Sequence, residues 1–67
     1  MDISKKLGQQ IKILRLQRKL SQAKLAGILK VHPTYISSIE RGMRSLTVKS
    51  MEKIAKALDF PIETLLK

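Results

Sequence analysis

The stretch SQAKLAGILKVHPTYISSIERG, residues Ser21 to Gly42, predicts two short helices joined by a tight turn. Ser21 is a good N-cap, because its hydroxyl can accept a hydrogen bond from a backbone N–H of the first turn. Apolar residues then recur at helical spacing as far as Leu29. Pro33 suits the first position of the second helix, where its missing N–H costs nothing. Gly42 is a typical residue at the end of a helix, so the pair of helices covers about residues 21–42.

The outward face of the second helix carries small polar groups and one cation. At about 100° per residue, Thr34, Ser38 and Arg41 point away from the apolar Ile36 and Ile39. A face of this kind can enter the major groove of DNA and hydrogen-bond base edges. It could equally be the solvated face of an ordinary surface helix. The helix before it, the short turn and the charge of the chain favour the DNA-binding interpretation.

The positive charge of the chain is unevenly distributed. The formal net charge is +9, and residues 3–51 hold 11 Lys or Arg against one acid, Glu40. Residues 52–67 carry three of each sign and are neutral. A positive potential around the second helix is what a polyanion-binding surface requires, although charge alone would fit DNA, RNA or an anionic membrane. The neutral C-terminal part suits contact with another protein chain.

Length and composition exclude several classes of protein. A chain of 67 residues forms one small domain, residues 1–67, and without cysteine it has neither a disulfide nor a Cys-based zinc site. Its single histidine, His32, predicts no metal site, and we expect it to cap a helix or lie on the surface, with a phosphate contact as the alternative. No catalytic constellation or glycine-rich nucleotide loop is visible, so we expect no enzyme, cofactor or small-molecule ligand. Neither a signal peptide nor an apolar run of about 20 residues is present, which predicts a cytoplasmic protein.

Amphipathic segments on both sides of the central pair predict three more helices. The first runs from about Ile3 to Lys19, with Asp2 or Ser4 as its cap. Another helix follows the central pair. It is capped by Thr47 and ends before Phe60-Pro61, because a residue that precedes proline avoids helical geometry. The apolar positions are Ile3, Leu7, Ile11 and Leu14, then Met51, Ile54, Ala55 and Leu58, then Ile62, Leu65 and Leu66 in a last short turn. These patterns predict an all-α, compact fold of five helices around one core.

Four residues stand out against this pattern. Gly8, inside the first helix, predicts a close approach of a neighbouring helix, although a tolerated weak spot is the alternative. Gly27 lies on an exposed helix face, where glycine should cost roughly 0.5–1 kcal/mol relative to alanine. Ile13 and Leu16 lie off the apolar stripe of the first helix, either as scattered surface residues or as a small contact patch.

Residues along nearly the whole chain resemble the phage repressor and Cro type of helix-turn-helix domain, the XRE-like family. The residues that carry the resemblance are Ser21-Gln22, Leu25-Ala26, Val31, Tyr35-Ile36-Ser37, Ile39-Glu40-Arg41-Gly42, Thr47, Ile54-Ala55 and Ala57-Leu58. With Thr34, Arg44 and Ser50 added, the pattern is similar to the small controller proteins of restriction–modification systems. The resemblance implies a repressor-like domain with its helix-turn-helix at about residues 21–42, which regulates transcription by binding double-stranded DNA.

The resemblance also implies roles for individual residues on the DNA. Phosphate contacts are expected from Gln22, Tyr35 and Arg41, and base contacts from Thr34, Ser37 and Ser38. Pro33 stands at a position that often reads bases in the family, but it can offer only apolar contact, such as to a thymine methyl group. Arg44, in the loop after Gly42, could reach a phosphate or a base.

The sequence departs from the family pattern at two helix ends. Lys19 and Lys30 stand where a glycine commonly ends two helices of the family. Lys19 is at the end of the helix from Ile3, and Lys30 is at the end of the helix capped by Ser21. A left-handed backbone at a residue other than glycine costs on the order of 1 kcal/mol. The chain either tolerates this cost or builds the two turns differently.

We expect an Arg15–Glu40 salt bridge between the first helix and the helix that begins at Pro33, which we call the reading helix. Glu40 lies about 40° from Ile36 on the helical wheel, towards the core, so its carboxylate should be partly buried. A buried carboxylate needs a partner. Arg15 stands at the edge of the apolar stripe of the first helix, and the family resemblance pairs the same two positions.

The family binds DNA operators with two halves, so a homodimer is expected on a pseudo-palindromic site. Phe60, Ile62, Leu65 and Leu66 exceed what a small core needs, and we expect them to form the dimer interface. One alternative is an antitoxin, whose main partner would be a toxin protein, although the chain shows no extended tail to wrap one. The other is a basic amphipathic membrane binder, which is disfavoured because the apolar stripes can be spent in one core.

Overall fold

The computed structural model describes residues 3–66, which form five α-helices around one core. They are α1 (Ile3–Gln17), α2 (Gln22–Leu29), α3 (Pro33–Glu40), α4 (Val48–Leu58) and α5 (Ile62–Leu65). The prediction of an all-α, five-helix domain is confirmed. The cap proposed at Asp2 and the side chain of Ile3 lie outside what the structure describes, and Ser4 lies within α1 rather than before it.

The core takes apolar side chains from every helix. The fully buried apolar residues are Ile11, Leu14, Leu25, Ala26, Ile36, Ile39, Ile54, Ala55, Leu58 and Leu65. Leu7 and Met51, also predicted as core positions, are half-buried and pack against this cluster. Ile13 and Leu16 are exposed on α1, as their place off the stripe predicts. Because α3 packs against both α1 and α2, the core fixes the direction in which its outer face points.

Side chains cap the N-termini of the three central helices. Ser21 accepts a hydrogen bond from the backbone N–H of Lys24 at the start of α2, and Thr47 Oγ1 accepts one from the N–H of Ser50 at the start of α4. His32 Nδ1 accepts the N–H of Thr34 at 3.1 Å, with Pro33 at the first helical position. All three caps satisfy backbone donors that a helix leaves unpaired. The expectation that His32 caps a helix is confirmed.

The turns after α1 and α2 use left-handed lysines. Lys19 has φ 57° and Lys30 has φ 58°, so both adopt the conformation for which the family prefers glycine, and the chain tolerates the cost. In the second turn the N–H of Val31 donates to the carbonyl oxygen of Ala26 at 2.9 Å, which closes the helix. The left-handed Lys19 also ends α1 at Gln17, two residues earlier than predicted. A third left-handed residue, Asp59 with φ 60°, ends α4 and was not predicted.

The backbones of α1 and α3 approach each other closely at Gly8. A Cβ atom on Gly8 would overlap the carbonyl oxygen of Ile39, so the predicted close approach is confirmed. Gly42 has φ 75° at the end of α3, and a Cβ atom there would overlap Lys5 of α1. Both glycines therefore set how near α3 lies to the first helix.

The two glycines inside helices should respond oppositely to alanine. Gly27→Ala should raise the free energy of unfolding by roughly 0.5–1 kcal/mol, because a Cβ atom there has no neighbour within 4 Å. Gly8→Ala should lower it by about 1–3 kcal/mol, because α1 and α3 must move apart. Urea unfolding of both variants beside the wild type measures the difference. A Gly8→Ala variant as stable as Gly27→Ala would contradict the close approach.

Candidate nucleic-acid interface

A buried ion pair ties α3 to α1. Arg15 Nε donates to Glu40 Oε2 at 2.6 Å, and Nη2 donates to Oε1 at 3.1 Å. The two side chains are 8% and 3% exposed, and the paired bonds hold the carboxylate in one orientation. The remaining branch of Arg15 donates from Nη1 to the carbonyl oxygen of Leu20 at 2.7 Å. The predicted Arg15–Glu40 salt bridge is therefore present. The additional bond from Arg15 to Leu20 was not predicted.

The same carboxylate holds the start of α2. Gln22 Nε2 donates to Glu40 Oε1 at 3.0 Å, so one amide hydrogen of Gln22 is engaged inside the domain. The amide nitrogen carries a second hydrogen, and it lies at the N-terminus of α2, where the helix dipole favours an anion. Sequence reasoning missed this contact, because nothing in the spacing of Gln22 and Glu40 shows that their helices meet there.

The outer face of α3 is exposed in the way its helical spacing predicts. Pro33, Thr34 and Arg41 are exposed, whereas Ser37 and Ser38 are half-buried. Arg41 ends the helix as its C-cap residue. Acidic side chains are absent from this face, since Glu40, the one acid of α3, is turned inward onto Arg15. The face can therefore approach an anionic surface without electrostatic repulsion.

Arg44, in the loop after α3, places its charged side chain beside this face. Arg44 Nε donates to Ser38 Oγ at 3.2 Å, and the Arg44 guanidinium lies 4.9 Å from the centre of the Tyr35 ring. Ser38 Oγ in turn donates to the carbonyl oxygen of Tyr35 at 2.9 Å. The three residues form a contiguous cluster, which sequence reasoning did not predict because it could not place a loop side chain.

The four residues predicted to form the dimer interface are partly buried in the core of the single chain. Leu65 is 2% exposed, so the expectation that it exceeds the needs of that core is wrong. It is buried because α5 closes the end of the core beside α4 and α1. Phe60 and Ile62 are half-buried, and Leu66 is 60% exposed. Three of the four residues predicted for the dimer interface therefore still have exposed apolar surface.

Phe60 is also covered on one side by Arg18, the residue that directly follows α1. The Arg18 guanidinium lies 4.3 Å from the centre of the Phe60 ring. Its Nε donates to the carbonyl oxygen of Leu58 and its Nη2 to that of Asp59, both at 2.8 Å. Arg18 thereby satisfies carbonyl groups that the end of α4 leaves without a helical partner, and it fixes the joint between α4 and α5.

Residues 3–66 show neither a metal site nor a membrane span. No group of three or more His, Cys, Asp or Glu side chains in this range is arranged to hold a metal ion. Among the same residues, no helix has both the length and the apolar character needed to cross a bilayer.

Comparison with known proteins gives consistent matches. Residues 11–65 match the family model HTH_3, described as helix-turn-helix. The control protein C.BamHI of Bacillus amyloliquefaciens is 48% identical over 52 residues, which cover 76% of this chain and 64% of that relative. The chain thus spans slightly less than two thirds of that relative's length.

Solved structures agree with these matches. The restriction-modification controller protein C.AhdI from Aeromonas hydrophila is similar with a TM-score of 0.87 at 34% identity, over 92% of this chain and 94% of that one. The biofilm regulator SinR, solved in complex with DNA, is similar with a TM-score of 0.84 at 35% identity, over 91% and 98% of the two chains.

Removing one partner of the buried ion pair should destabilise the domain strongly. Glu40→Gln should lower the free energy of unfolding by about 3–5 kcal/mol, because it leaves the Arg15 charge buried without its counter-ion. The matched control is Glu52→Gln, which removes an exposed carboxylate from α4 and should change stability by less than about 0.5 kcal/mol. Thermal and urea unfolding measure both. Equal stability of the two variants would show that the pair is not structural.

Proposed function

The chain belongs to the HTH_3 helix-turn-helix family, of the XRE-like type, and from this premise we propose that it regulates transcription by binding specific double-stranded DNA sequences as a dimer. The observation that carries the proposal is the exposed, acid-free outer face of α3, held in one orientation by the buried Arg15–Glu40 pair. A short rigid helix of this kind has the size and chemistry to enter the major groove.

In the proposed complex, α3 lies in the major groove and α2 crosses the phosphate backbone. Gln22 stands where α2 begins, so its free amide hydrogen and the positive end of the helix can meet the same phosphate. SinR, similar over nearly its whole solved chain, was solved in complex with DNA, which supports DNA binding by this fold. The exposure of Thr34 and Arg41 leaves them available to the DNA without any change in the fold.

We assign the interface residues to two groups by their chemistry. Residues that touch bases give specificity, whereas phosphate contacts give affinity and register. The base-reading group is Pro33, Thr34, Ser37, Ser38 and Arg44, and the phosphate-binding group is Gln22, Tyr35 and Arg41. All of these roles are binding roles, so the proposal needs no catalytic residue, cofactor or small-molecule ligand. It places the protein with the DNA that it regulates, in the cytoplasm.

We further propose that the chain is the controller of a restriction–modification system. C.BamHI is named as a control protein, and C.AhdI is a restriction-modification controller whose solved chain this one covers almost completely. Both relatives are similar over most of this chain.

The dimer follows from the size of the domain. The described residues measure 29 × 23 × 21 Å, whereas successive half-sites on one face of DNA lie about 34 Å apart. A single copy is therefore too short to read two half-sites. Phe60, Ile62 and Leu66 lie in the neutral part of the chain and leave apolar surface uncovered, so we place the interface there.

The two groups of interface residues should separate in a DNA titration. Arg41→Ala should weaken operator and scrambled DNA alike and reduce the log–log salt slope by roughly 0.9 for each phosphate that is no longer neutralised, while Gln22→Ala weakens both DNAs alike. Thr34→Ala should leave the slope unchanged and relax preference at one base pair per half-site by about 1–3 kcal/mol. The operator is first selected from a random duplex library, and fluorescence anisotropy at several salt concentrations then measures binding.

Lys56→Ala is the matched control for the removed charge, because Lys56 is exposed near the end of α4, outside the proposed interface. It should change the salt slope much less than Arg41→Ala. Equal weakening of operator and scrambled DNA by Thr34→Ala would show that this part of α3 does not read bases.

The dimer surface should be sensitive to a charge at Leu66. Leu66→Asp should move the protein towards monomer, because a carboxylate in an apolar contact loses its hydration. The control is Leu16→Asp, at a leucine of α1 that is 55% exposed. Sedimentation equilibrium up to high micromolar protein measures both. Dissociation by Leu16→Asp and not by Leu66→Asp would move the interface to α1, and a wild-type monomer without cooperative operator binding would remove the dimer.

A further inference from the structure

A groove runs along the surface where α2 and α4 meet. It consists of two adjoining hollows, and Leu29 and Lys53 line both of them. We propose that this groove, which we call the α2–α4 groove, is a docking site for an acidic amphipathic helix of another protein. The inference does not rest on the proposed DNA binding, because Tyr35 is the one residue that both lines the groove and belongs to a DNA-contact group.

The floor of the α2–α4 groove is apolar. One hollow is lined by Leu29, Ile54 and, from the turn after α2, Val31. The other is lined by Ile28 and Ala57 beside Leu29, and Ile28 is 49% exposed. Because α2 packs against α4 beneath these side chains, the core holds the two walls of the groove in place. An exposed apolar groove between two packed helices is the kind of surface that takes the apolar face of a third helix.

The rim of the groove is positively charged. Lys53 and Lys56 line it, both are exposed, and neither forms an ion pair with another of residues 3–66. Lys24 stands one turn before Ile28 on α2 and adds an exposed cation beside it. Among the described residues no acid lines the groove, and Glu52 of α4 projects about 100° from Lys53 on the helical wheel. The groove therefore presents positive charge that the domain itself does not neutralise.

The combination of floor and rim favours one occupant over the others that the chain can meet. A second copy docked through the same groove by two-fold symmetry would place Lys53 and Lys56 against their own counterparts, and like charges oppose such a contact. A DNA backbone would satisfy the lysines but would leave Ile28 against a polar surface. A bilayer takes up apolar side chains that project from a protein, whereas these line a hollow. A helix with an apolar face between acidic flanks matches both the floor and the rim.

The test selects ligands from a displayed library of helical peptides of about 18 residues, or five turns. One face of each peptide varies among apolar residues, and the two flanks vary among Glu, Lys and Ser. Selection on the whole chain, with removal of peptides that also bind Ile28→Asp, should enrich peptides with Glu on their flanks. These peptides should bind Ile28→Asp at least about tenfold more weakly, because the new carboxylate meets both their apolar face and their charge.

The selection also decides against the proposal when its result differs. An empty selection, or enriched peptides whose flanks carry Lys or Ser, would overturn it. Ile28 is exposed, so the domain should tolerate aspartate there, and thermal unfolding establishes that the variant is folded.

A charge exchange at Lys53 tests the rim without altering the apolar floor. Lys53→Glu should weaken a selected peptide about 3- to 10-fold, and replacement of the facing glutamate of the peptide by lysine should restore binding. The matched control is Lys12→Glu, which makes the same change of charge at an exposed position of α1 and should weaken the peptide by less than about twofold. Equal weakening by the two variants would show that the net charge of the chain, and not the groove, attracts the peptide.

Amide chemical shifts locate the occupant on the wild-type protein. The selected peptide should shift the amides of Ile28, Leu29 and Ala57 and leave that of Leu16, on the exposed side of α1, unchanged. Shifts of the groove amides with protein concentration alone would assign the groove to a second copy. Shifts with a DNA duplex or with phosphatidylglycerol vesicles, abolished by Ile28→Asp, would assign it to DNA or to a membrane. Each of these three outcomes would overturn the proposal.

Discussion

The hydrogen-bonded ion pair between Arg15 and Glu40 determines where α3, the proposed reading helix, lies. Burying two charges costs free energy, and an apolar pair of the same volume is often no less stable. What the charged pair adds is direction, because a bidentate contact is made at one mutual orientation of the two side chains. Arg15 and Gln22 together occupy both oxygens of Glu40, so α1 and the start of α2 fix the end of α3. The close approach at Gly8 then sets the distance between the helices.

Much of this architecture could be predicted because it follows rules that act over one or two helical turns. Apolar spacing located the helices, and Ser21, Pro33 and Thr47 marked where they begin. The Arg15–Glu40 pair could be predicted because a carboxylate turned towards a core requires a cation and because the family resemblance pairs these two positions. Lys19 was identified at a position where the family commonly has glycine, but neither its left-handed backbone nor its effect on the length of α1 could be decided from the sequence.

The contacts that sequence reasoning missed all join parts of the chain whose relative positions depend on the finished core. The burial of Leu65 depends on how α5 lies across the end of α4 and α1, which its own short apolar pattern cannot show. The Gln22–Glu40 bond needs α2 and α3 in place first. The pose of Arg44 depends on the path of a loop without regular hydrogen bonds, and spacing rules for helices say nothing about such a side chain.

Two arginines near the C-terminal end of α1 connect the proposed reading face to the proposed dimer surface. Arg15 and Arg18 lie three residues apart, at the end of α1 and just beyond it, which places them on neighbouring parts of one surface. Arg15 holds α3 through Glu40, whereas Arg18 holds the joint of α4 and α5 through two carbonyl oxygens and the Phe60 ring. A dimer reads two half-sites only when its two reading helices are held at a fixed separation. Since these two arginines contact both surfaces, the proposed dimer would set the separation of its two copies of α3 through the C-terminal end of α1 and not through the loop that contains Arg44.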